Sequence, residues 1–381
     1  MADLFLTLSK DDRREALAVA AERTGRPLHL LEKDVWVVWT LQTLFSSRLG
    51  EHLVFKGGTS LSKAYGVIKR FSEDVDLTYD IRALAPNLVG DNDEALPKTR
   101  SEEKRWTSEV RKRLPVWVAD SVEPVISGAL RDQSLPAAIR LEDDTLYLDY
   151  EAVSSGSGYV APSVMLEFGA RSTGEPASIR DVGCDASGQV DGVEFPTASP
   201  RVMHAERTFW EKATAIHVFC LQERLRGDRF ARHWHDVVRL DDAGFADKAF
   251  ADRQLANAVA KHKSMFLCRK GGRPLADRLR RCRQRQSCSD TVRRWSPCAR
   301  RRLWAHGRRR FAARRFRAVR APDRAMRANS GPCQQTRHVG ISDCRPTDCP
   351  SVLASPPHPR GVPSRRLIRF AQGRPLRWDS S

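Results

Sequence analysis

The amino-acid sequence predicts an α+β (mixed α/β) fold, with a central sheet between N-terminal helices and a C-terminal helical bundle. Apolar residues recur at helical spacing over residues 10–22 and 29–46. Apolar and polar residues alternate in the middle of the chain, which is typical of strands in one mixed or antiparallel sheet. The alternating segments are 145–153, 163–171, 177–184 and 189–195. Helical periodicity returns in three later segments, at 206–225, 230–244 and 247–266.

The first 50 residues are predicted to be a helical segment. An apolar stripe follows the second helix through Leu31, Val35, Val38, Leu41 and Leu44. The chain start carries acids early and has no long apolar core, so we expect no signal peptide. No stretch approaches about 18 uninterrupted apolar residues, so no membrane span is expected either.

A strand, a glycine turn and a helix are predicted next. The apolar run at residues 53–55 leads into a pair of glycines, and the helix is expected over about residues 59–69. Glycine allows positive φ and close approach of the backbone to a ligand. Backbone N–H groups and hydroxyls at such a turn can bind a phosphate, although an ordinary strand-to-helix turn is the alternative. The predicted phosphate contacts are Gly57, Gly58, Thr59 and Ser60.

Two carboxylates follow on the next predicted strand. Asp74 and Asp76 alternate with Val75 and Leu77, so both acids should project to one face while the apolar residues pack below. Two like charges so close repel each other, and a bound divalent cation removes that conflict. Carboxylates next to bound phosphates suit Mg²⁺ in nucleotidyl transfer. The alternative is a surface strand with paired acids. Residues 82–104 then predict a polar loop, and residues 105–131 a helical stretch.

The segment FKGGTSLSKAY, followed by RFSEDVDL, resembles the nucleotidyltransferase AbiEii/AbiGii toxin family, a branch of the DNA polymerase beta-like nucleotidyltransferases. The resemblance runs from about Leu31 to Phe266 and implies a polymerase beta-like core sheet, an NTP substrate and Mg²⁺ as cofactor. It also implies a toxin of a toxin–antitoxin pair, active in phage defence or growth arrest, with a cognate antitoxin. The acceptor implied by the resemblance is tRNA or a protein.

The resemblance adds two residues to the predicted site. An S-x-D element is part of the catalytic motif in this family, and Ser72-Glu73-Asp74 matches it, which makes Ser72 a phosphate or metal-water contact. Polymerase beta-like enzymes commonly use a third carboxylate from a neighbouring strand, and Glu167 in the apolar segment VMLEFG fits that role. A carboxylate there is costly unless it is paired or metal-bound, so a salt bridge to Arg171 or Arg70 is the alternative.

Two helical residues complete the predicted catalytic set. Lys212 lies among apolar neighbours in an amphipathic helix and can neutralise triphosphate charge, as the family's lysine in the matching helix does. A snorkelling lysine is the alternative. Asp236 corresponds to the family's last acidic motif, with the roles of binding Lys212, holding the nucleotide or acting as a base left open. The triplet 32–34 (Glu-Lys-Asp) matches the start of the family and is expected at the cleft mouth.

The composition changes abruptly after Leu267. The chain carries a formal charge of +18, yet residues 268–381 hold 30 Lys and Arg against 6 Asp, so residues 1–267 are mildly acidic. Twenty-nine of those 30 cations are Arg, and the segment shows no helical or strand periodicity. Two interpretations compete: a disordered basic arm that binds nucleic acid, or an out-of-frame translation of a GC-rich gene.

Residues 1–267 are therefore predicted to be a cytoplasmic, Mg²⁺-dependent nucleotidyltransferase, with no membrane partner. The alternatives are a non-catalytic nucleotide- or RNA-binding module and an inactive frameshifted product. The body has only two cysteines, which fits a reducing compartment. The predicted segments are 1–50 (N-terminal helices), 51–200 (nucleotidyltransferase core), 201–267 (C-terminal helices) and 268–381 (tail).

Overall fold

The computed structural model describes residues 2–70, 74–154, 160–220 and 227–266. The predicted tail at 268–381 lies outside the described residues, and the division of the chain at residues 50, 200 and 267 stays a prediction. The helices are α1 Lys10–Thr24, α2 Leu28–Ser46, α3 Gly57–Lys63, α4 Ile81–Leu84, α5 Pro86–Val89, α6 Arg100–Trp117, α7 Glu123–Asp132, α8 Ala205–Cys220, α9 Gly227–Asp242, α10 Phe245–Ala251 and α11 Arg253–Phe266.

Eleven short strands are seen in the described part of the chain. They are β1 Asp3–Leu4, β2 Leu53–Lys56, β3 Asp74–Tyr79, β4 Ala137–Glu142, β5 Thr145–Tyr150, β6 Ser163–Gly169, β7 Ala177–Ile179, β8 Val182–Gly183, β9 Val193–Glu194, β10 Thr197–Ala198 and β11 Arg201–Met203. Seven of them form the main sheet in the order β4-β5-β6-β3-β2-β11-β7. Because β3 pairs in parallel with β6 and antiparallel with β2, the sheet is mixed, as the sequence predicts.

The N-terminal helices pack against this sheet. Ser9 begins α1 by accepting a hydrogen bond from the backbone N–H of Asp12, and Gly25 ends it in a left-handed conformation. Residues 31–41 of α2 are buried all round, which explains why this helix is apolar on more than one face. Trp36 stacks on Tyr150 of β5 with 5.3 Å between ring centroids, so α2 is part of the main core.

A second apolar core lies among the C-terminal helices. Phe209 and Trp210 of α8 pack with Leu240 of α9 and with residues of α10 and α11. Leu61 of α3 is fully buried in this second core. The short helix after the glycine turn is therefore fixed by the C-terminal helices as well as by the strands on either side of it.

Several predicted elements differ from the structure. The loop expected at 82–104 contains α4 and α5, and a capping box of Thr99 and Glu102 begins α6 at Arg100. The segment 189–195 contributes only β9, which pairs with β1 outside the main sheet, and β8 pairs with β10. The predicted helix at 59–69 already ends at Lys63, and that at 247–266 is divided at Asp252. None of the described helices has the length and apolar character needed to cross a membrane.

Candidate active site

A row of charged side chains crosses the middle of the main sheet. Asp76 of β3 lies directly opposite Lys56 of β2 on one side and Glu167 of β6 on the other. Cross-strand partners share a face of the sheet, and residues two apart on one strand do the same, so Asp74 belongs to this face too. Val75 and Leu77 are fully buried on the opposite face. The predicted alternation of β3 is thus present.

The glycine turn touches this row. Gly57 has φ +81°, and a Cβ built at that position would lie 1.9 Å from Oδ2 of Asp76. A side chain at residue 57 is therefore excluded twice, by the left-handed backbone and by the carboxylate beside it. Gly58 is buried in the first turn of α3. The predicted turn and the predicted acidic strand meet in space, with Gly57 against Asp76.

The hydroxyls of Thr59 and Ser60 make contacts that were not expected. Thr59 Oγ1 donates a hydrogen bond to the backbone carbonyl of Asp74, and Ser60 Oγ donates to the carbonyl of Gly57 at 3.0 Å. Both side chains are buried. In this arrangement the two hydroxyls fasten the turn to β3 and to itself. Ser72, the remaining predicted contact, lies outside the described residues.

Burial raises the pKa of the Asp76 carboxyl. The charge of Asp74 acts in the same direction, whereas Lys56 and Lys212 oppose it, and the net shift is upward. A cation that approaches this carboxylate would stabilise its ionised form. The arrangement thus favours binding of a positive ion at Asp76.

The position of Glu167 differs from the expectation of a buried carboxylate. Val164, Leu166 and Phe168 face the core, and Glu167 is exposed on the other face of β6. The expectation that burial of this carboxylate costs much free energy is therefore wrong, because the strand is covered on one face only. Of its two predicted salt-bridge partners, Arg70 binds Asp236 instead. Glu167 keeps its place as the direct neighbour of Asp76.

Lys212 and Asp236 form a buried ion pair between α8 and α9. Lys212 Nζ lies 2.9 Å from Asp236 Oδ2, and Arg70 binds the same carboxylate at 3.0 Å. Burial alone would raise the pKa of Asp236, but hydrogen bonds from His235, Lys212 and Arg70 and the charge of Lys212 hold it well below its usual range. Of the three roles left open for Asp236, binding Lys212 has a contact to support it. A carboxyl with so low a pKa makes a poor general base.

The residues present suit a magnesium ion that shares its coordination with a substrate. Within the described ranges, no three His, Cys, Asp or Glu side chains converge closely enough to hold a metal by themselves. Mg²⁺ is ordinarily bound by one or two carboxylates together with substrate phosphates and water. Asp74 and Asp76 supply oxygen ligands of this kind on one face of β3, and Asp76 lies against the glycine turn.

The triplet 32–34, expected at the cleft mouth, is buried in α2, and Asp34 belongs to a charge network whose partners the sequence did not indicate. Lys63 at the end of α3 binds Asp34 of α2 at 2.7 Å and Asp185 at 3.0 Å. Asp185 also pairs with Arg26 at 2.8 Å. Glu32, two residues before Asp34, is buried and accepts a hydrogen bond from the backbone N–H of Val153 at 2.9 Å. Three consecutive charged residues, 32–34, inside an apolar helix were the available signal.

Comparisons with known proteins cover about two thirds of the chain or more. The model of a family described as nucleotidyl transferase AbiEii toxin, type IV TA system, matches residues 39–321. The match continues past Cys268 into the Arg-rich segment. No curated protein sequence matches the chain. One solved structure that matches is MenT4, a nucleotidyltransferase toxin from Mycobacterium tuberculosis H37Rv. It is 15% identical, covers 67% of this chain and 90% of its own, and has a TM-score of 0.29.

Proposed function

Because the chain belongs to the AbiEii family of nucleotidyl transferase toxins, we propose that it moves a nucleotidyl group from an NTP to an acceptor hydroxyl, with Mg²⁺ as cofactor. The acceptor is a tRNA or a protein, and the reaction takes place in the cytoplasm, where NTPs are supplied. Modification of the acceptor arrests growth or serves phage defence, and a cognate antitoxin counters the toxin. The observation that carries the proposal is the contact between Gly57 and the Asp76 carboxylate.

Asp74 and Asp76 are the residues that would hold the magnesium ion, with Glu167 next to Asp76 in the sheet. When bound, the ion offsets the negative charge of the phosphates and of the oxygens that attack and leave. The absence of a Cβ at Gly57 lets the turn lie against Asp76, and the backbone N–H groups of the turn would contact the triphosphate. Thr59 holds that turn against β3 through its bond to the carbonyl of Asp74.

Lys212 supplies positive charge to the site. Asp236 is bound by both Lys212 and Arg70, so two cations share one carboxylate and one positive charge remains in excess. That excess suits a triphosphate whose charge spreads over its oxygens as the bond to the leaving group breaks. The acceptor hydroxyl gives up its proton to water and its oxygen forms a bond to the α-phosphorus. The bond from the α-phosphorus to the oxygen that bridges it to the β-phosphorus breaks, and pyrophosphate leaves.

The test is transfer of label from each of four NTPs, labelled at the α-phosphate, with the full chain and Mg²⁺. Total tRNA and total cell protein are offered as acceptors in separate reactions. We expect label on one of the two acceptors with the wild-type chain and none with Asp74→Ala. Nucleotide binding without transfer by the wild type, or equal transfer by Asp74→Ala, would contradict the proposal and favour a binding module.

A further inference from the structure

Two cations contact a single carboxylate beside the candidate active site, and the charge of a third acts on it. Glu211 of α8 pairs with Arg207, one turn earlier on the same helix, with 3.2 Å between Nε and Oε1. Lys263 of α11 approaches the other carboxylate oxygen, with 3.7 Å between Nζ and Oε2. Lys56, which pairs with Asp76 across β2 and β3, is the third cation, and its charge acts on both Glu211 and Lys263. We call these four side chains the Glu211 cluster.

The Glu211 cluster holds three cations and one carboxylate, and of the three only Lys56 also faces a second carboxylate in the described part of the chain, that of Asp76. Arg207 is buried, and the side chains of Glu211 and Lys263 are only about a fifth exposed, at 20% and 21%. Water therefore compensates the excess charge poorly. Burial lowers the pKa of Lys263, and the charges of Lys56 and Arg207 add to that effect against the opposing pull of Glu211. An anion in contact with these cations would relieve the repulsion between them.

The cluster adjoins the proposed reaction centre through Lys56. This lysine is the last residue of β2, lies directly opposite Asp76 and immediately precedes Gly57. Its charge acts on Asp76 as well as on Glu211. Lys212, the predicted triphosphate contact, is held separately by Asp236. The Glu211 cluster is thus a second group of cations, bound to a different carboxylate from the one that binds Lys212.

We propose that Lys56, Arg207 and Lys263 bind the pyrophosphoryl group, as part of the NTP and as released pyrophosphate, and that Glu211 competes with it for these cations. The inference rests on the proposed function, because that reaction consumes the one form and releases the other. Arginine and lysine are the usual ligands of phosphate oxygens. A pyrophosphoryl group brings several negative charges where the carboxylate brings one, and so matches three cations better.

Inorganic pyrophosphate, titrated into the full chain by calorimetry without divalent metal, provides the direct test. We expect Lys263→Gln to weaken pyrophosphate binding about tenfold. Lys261→Gln is the matched control, because Lys261 lies on the same helix, is half-exposed and pairs with Glu94 instead. Equal affinity of the Lys263→Gln variant and the wild type would overturn the proposal. Thermal melting of each variant identifies any that fails to fold.

A second variant tests the competition and does not depend on removing a cation. Glu211→Gln leaves the three cations without their own carboxylate, so pyrophosphate should bind more tightly than to the wild type, by about tenfold. A purely structural ion cluster would give a less stable protein with no gain in pyrophosphate affinity. Unchanged or weaker binding by a folded Glu211→Gln variant would overturn the proposal.

Comparing nucleotides tests whether the cluster binds the pyrophosphoryl group while it is still part of the NTP. Lys263→Gln should weaken binding of the NTP used in the transfer reaction and leave binding of the corresponding monophosphate unchanged, because only the NTP carries a pyrophosphoryl group. An equal loss for both nucleotides would overturn the assignment. Pyrophosphate binding needs neither acceptor nor turnover, so a failure of the transfer reaction is distinguishable from a failure of this inference.

Discussion

Gly57 and Asp76 join the two halves of the candidate site at one contact. The distance from a Cβ built on Gly57 to the Asp76 carboxylate, 1.9 Å, is far below any van der Waals contact. The turn can therefore lie against the acid only while residue 57 has no side chain. Burial raises the pKa of Asp76, so its ionised carboxylate makes the folded protein less stable at neutral pH.

Replacing Gly57 by alanine should separate the two halves of the site. We expect at least about a hundredfold loss of label transfer, because a displacement near 1 Å is enough to spoil a reaction geometry. Gly66→Ala is the matched control: it also has positive φ, +63°, but nothing lies within 4 Å of its Cβ position. It should cost about 1 kcal/mol of stability and leave transfer intact. Equal activity of the two variants would show that the contact is irrelevant.

Asp76→Asn should lose activity without losing stability. A group whose pKa is raised on folding favours the folded state below its unfolded value, 3.8, and loses that contribution as pH rises through the folded value. At pH 7 the asparagine variant should therefore melt at the same temperature as the wild type or above it. Its transfer should fall about a thousandfold. Asp93→Asn, in an exposed loop, controls for the loss of one negative charge. A marked drop in melting temperature for Asp76→Asn would contradict the inference that ionised Asp76 destabilises the folded protein.

At the level of single residues, the sequence is informative where periodicity alone decides orientation. The common face of Asp74 and Asp76 follows from the two-residue repeat of a strand and is present in the structure. The same repeat also puts Glu167 on the open face of β6, but its apolar neighbours on both sides suggested burial. The pairing of Lys63 with Asp34 joins residues from two different helices, and no local pattern specifies such a partner.

The C-terminal helices contribute to the site through Asp236. This residue of α9 is completely buried, and it binds Lys212 of α8 and Arg70, which follows α3. One carboxylate thus connects three parts of the chain. Its low pKa means that these contacts stabilise the ionised form in the folded protein.

Asp236→Asn should destabilise the protein at neutral pH by about 3 kcal/mol, because it leaves two cations near a buried site without their anion. A group with a lowered folded pKa stabilises the protein above its unfolded pKa, 3.8, and this stabilisation is lost as pH falls through the folded value. The difference from the wild type, measured by urea unfolding, should stay constant from pH 7 to 5 and shrink only below about pH 4. A difference that already shrinks between pH 7 and 5 would assign the effect to another group.

Elements were predictable where a long apolar pattern exists. The helices α1, α2 and α8 begin within about two residues of the expected positions. Short elements were harder. Strand β11, Arg201–Met203, is fixed by pairing with β2 and β7, and a three-residue strand offers no periodicity to read. Strand β4 is mostly exposed at the sheet edge, so its apolar signal is weak.

On the scale of the whole molecule, the main sheet and the C-terminal helices meet at the candidate site. Leu61 anchors α3 in the second apolar core, while Thr59 ties the same helix to β3. Family membership was predictable from the glycine doublet combined with the acidic strand, and the match to residues 39–321 confirms it. The order of strands in the sheet was not predictable, because it depends on pairings between segments far apart in sequence.

The central claim is that the turn at Gly57 and the acids of β3 form a nucleotidyl transfer site. Its most direct test is to determine which phosphate of the NTP is transferred to the acceptor. The full chain is incubated with Mg²⁺, acceptor and one NTP labelled at either the α- or the γ-phosphate. We predict α-label on the acceptor, γ-label in pyrophosphate, and neither outcome with Asp76→Asn or Gly57→Ala. Transfer of γ-label to the acceptor, or unchanged α-transfer by these two variants, would contradict the claim.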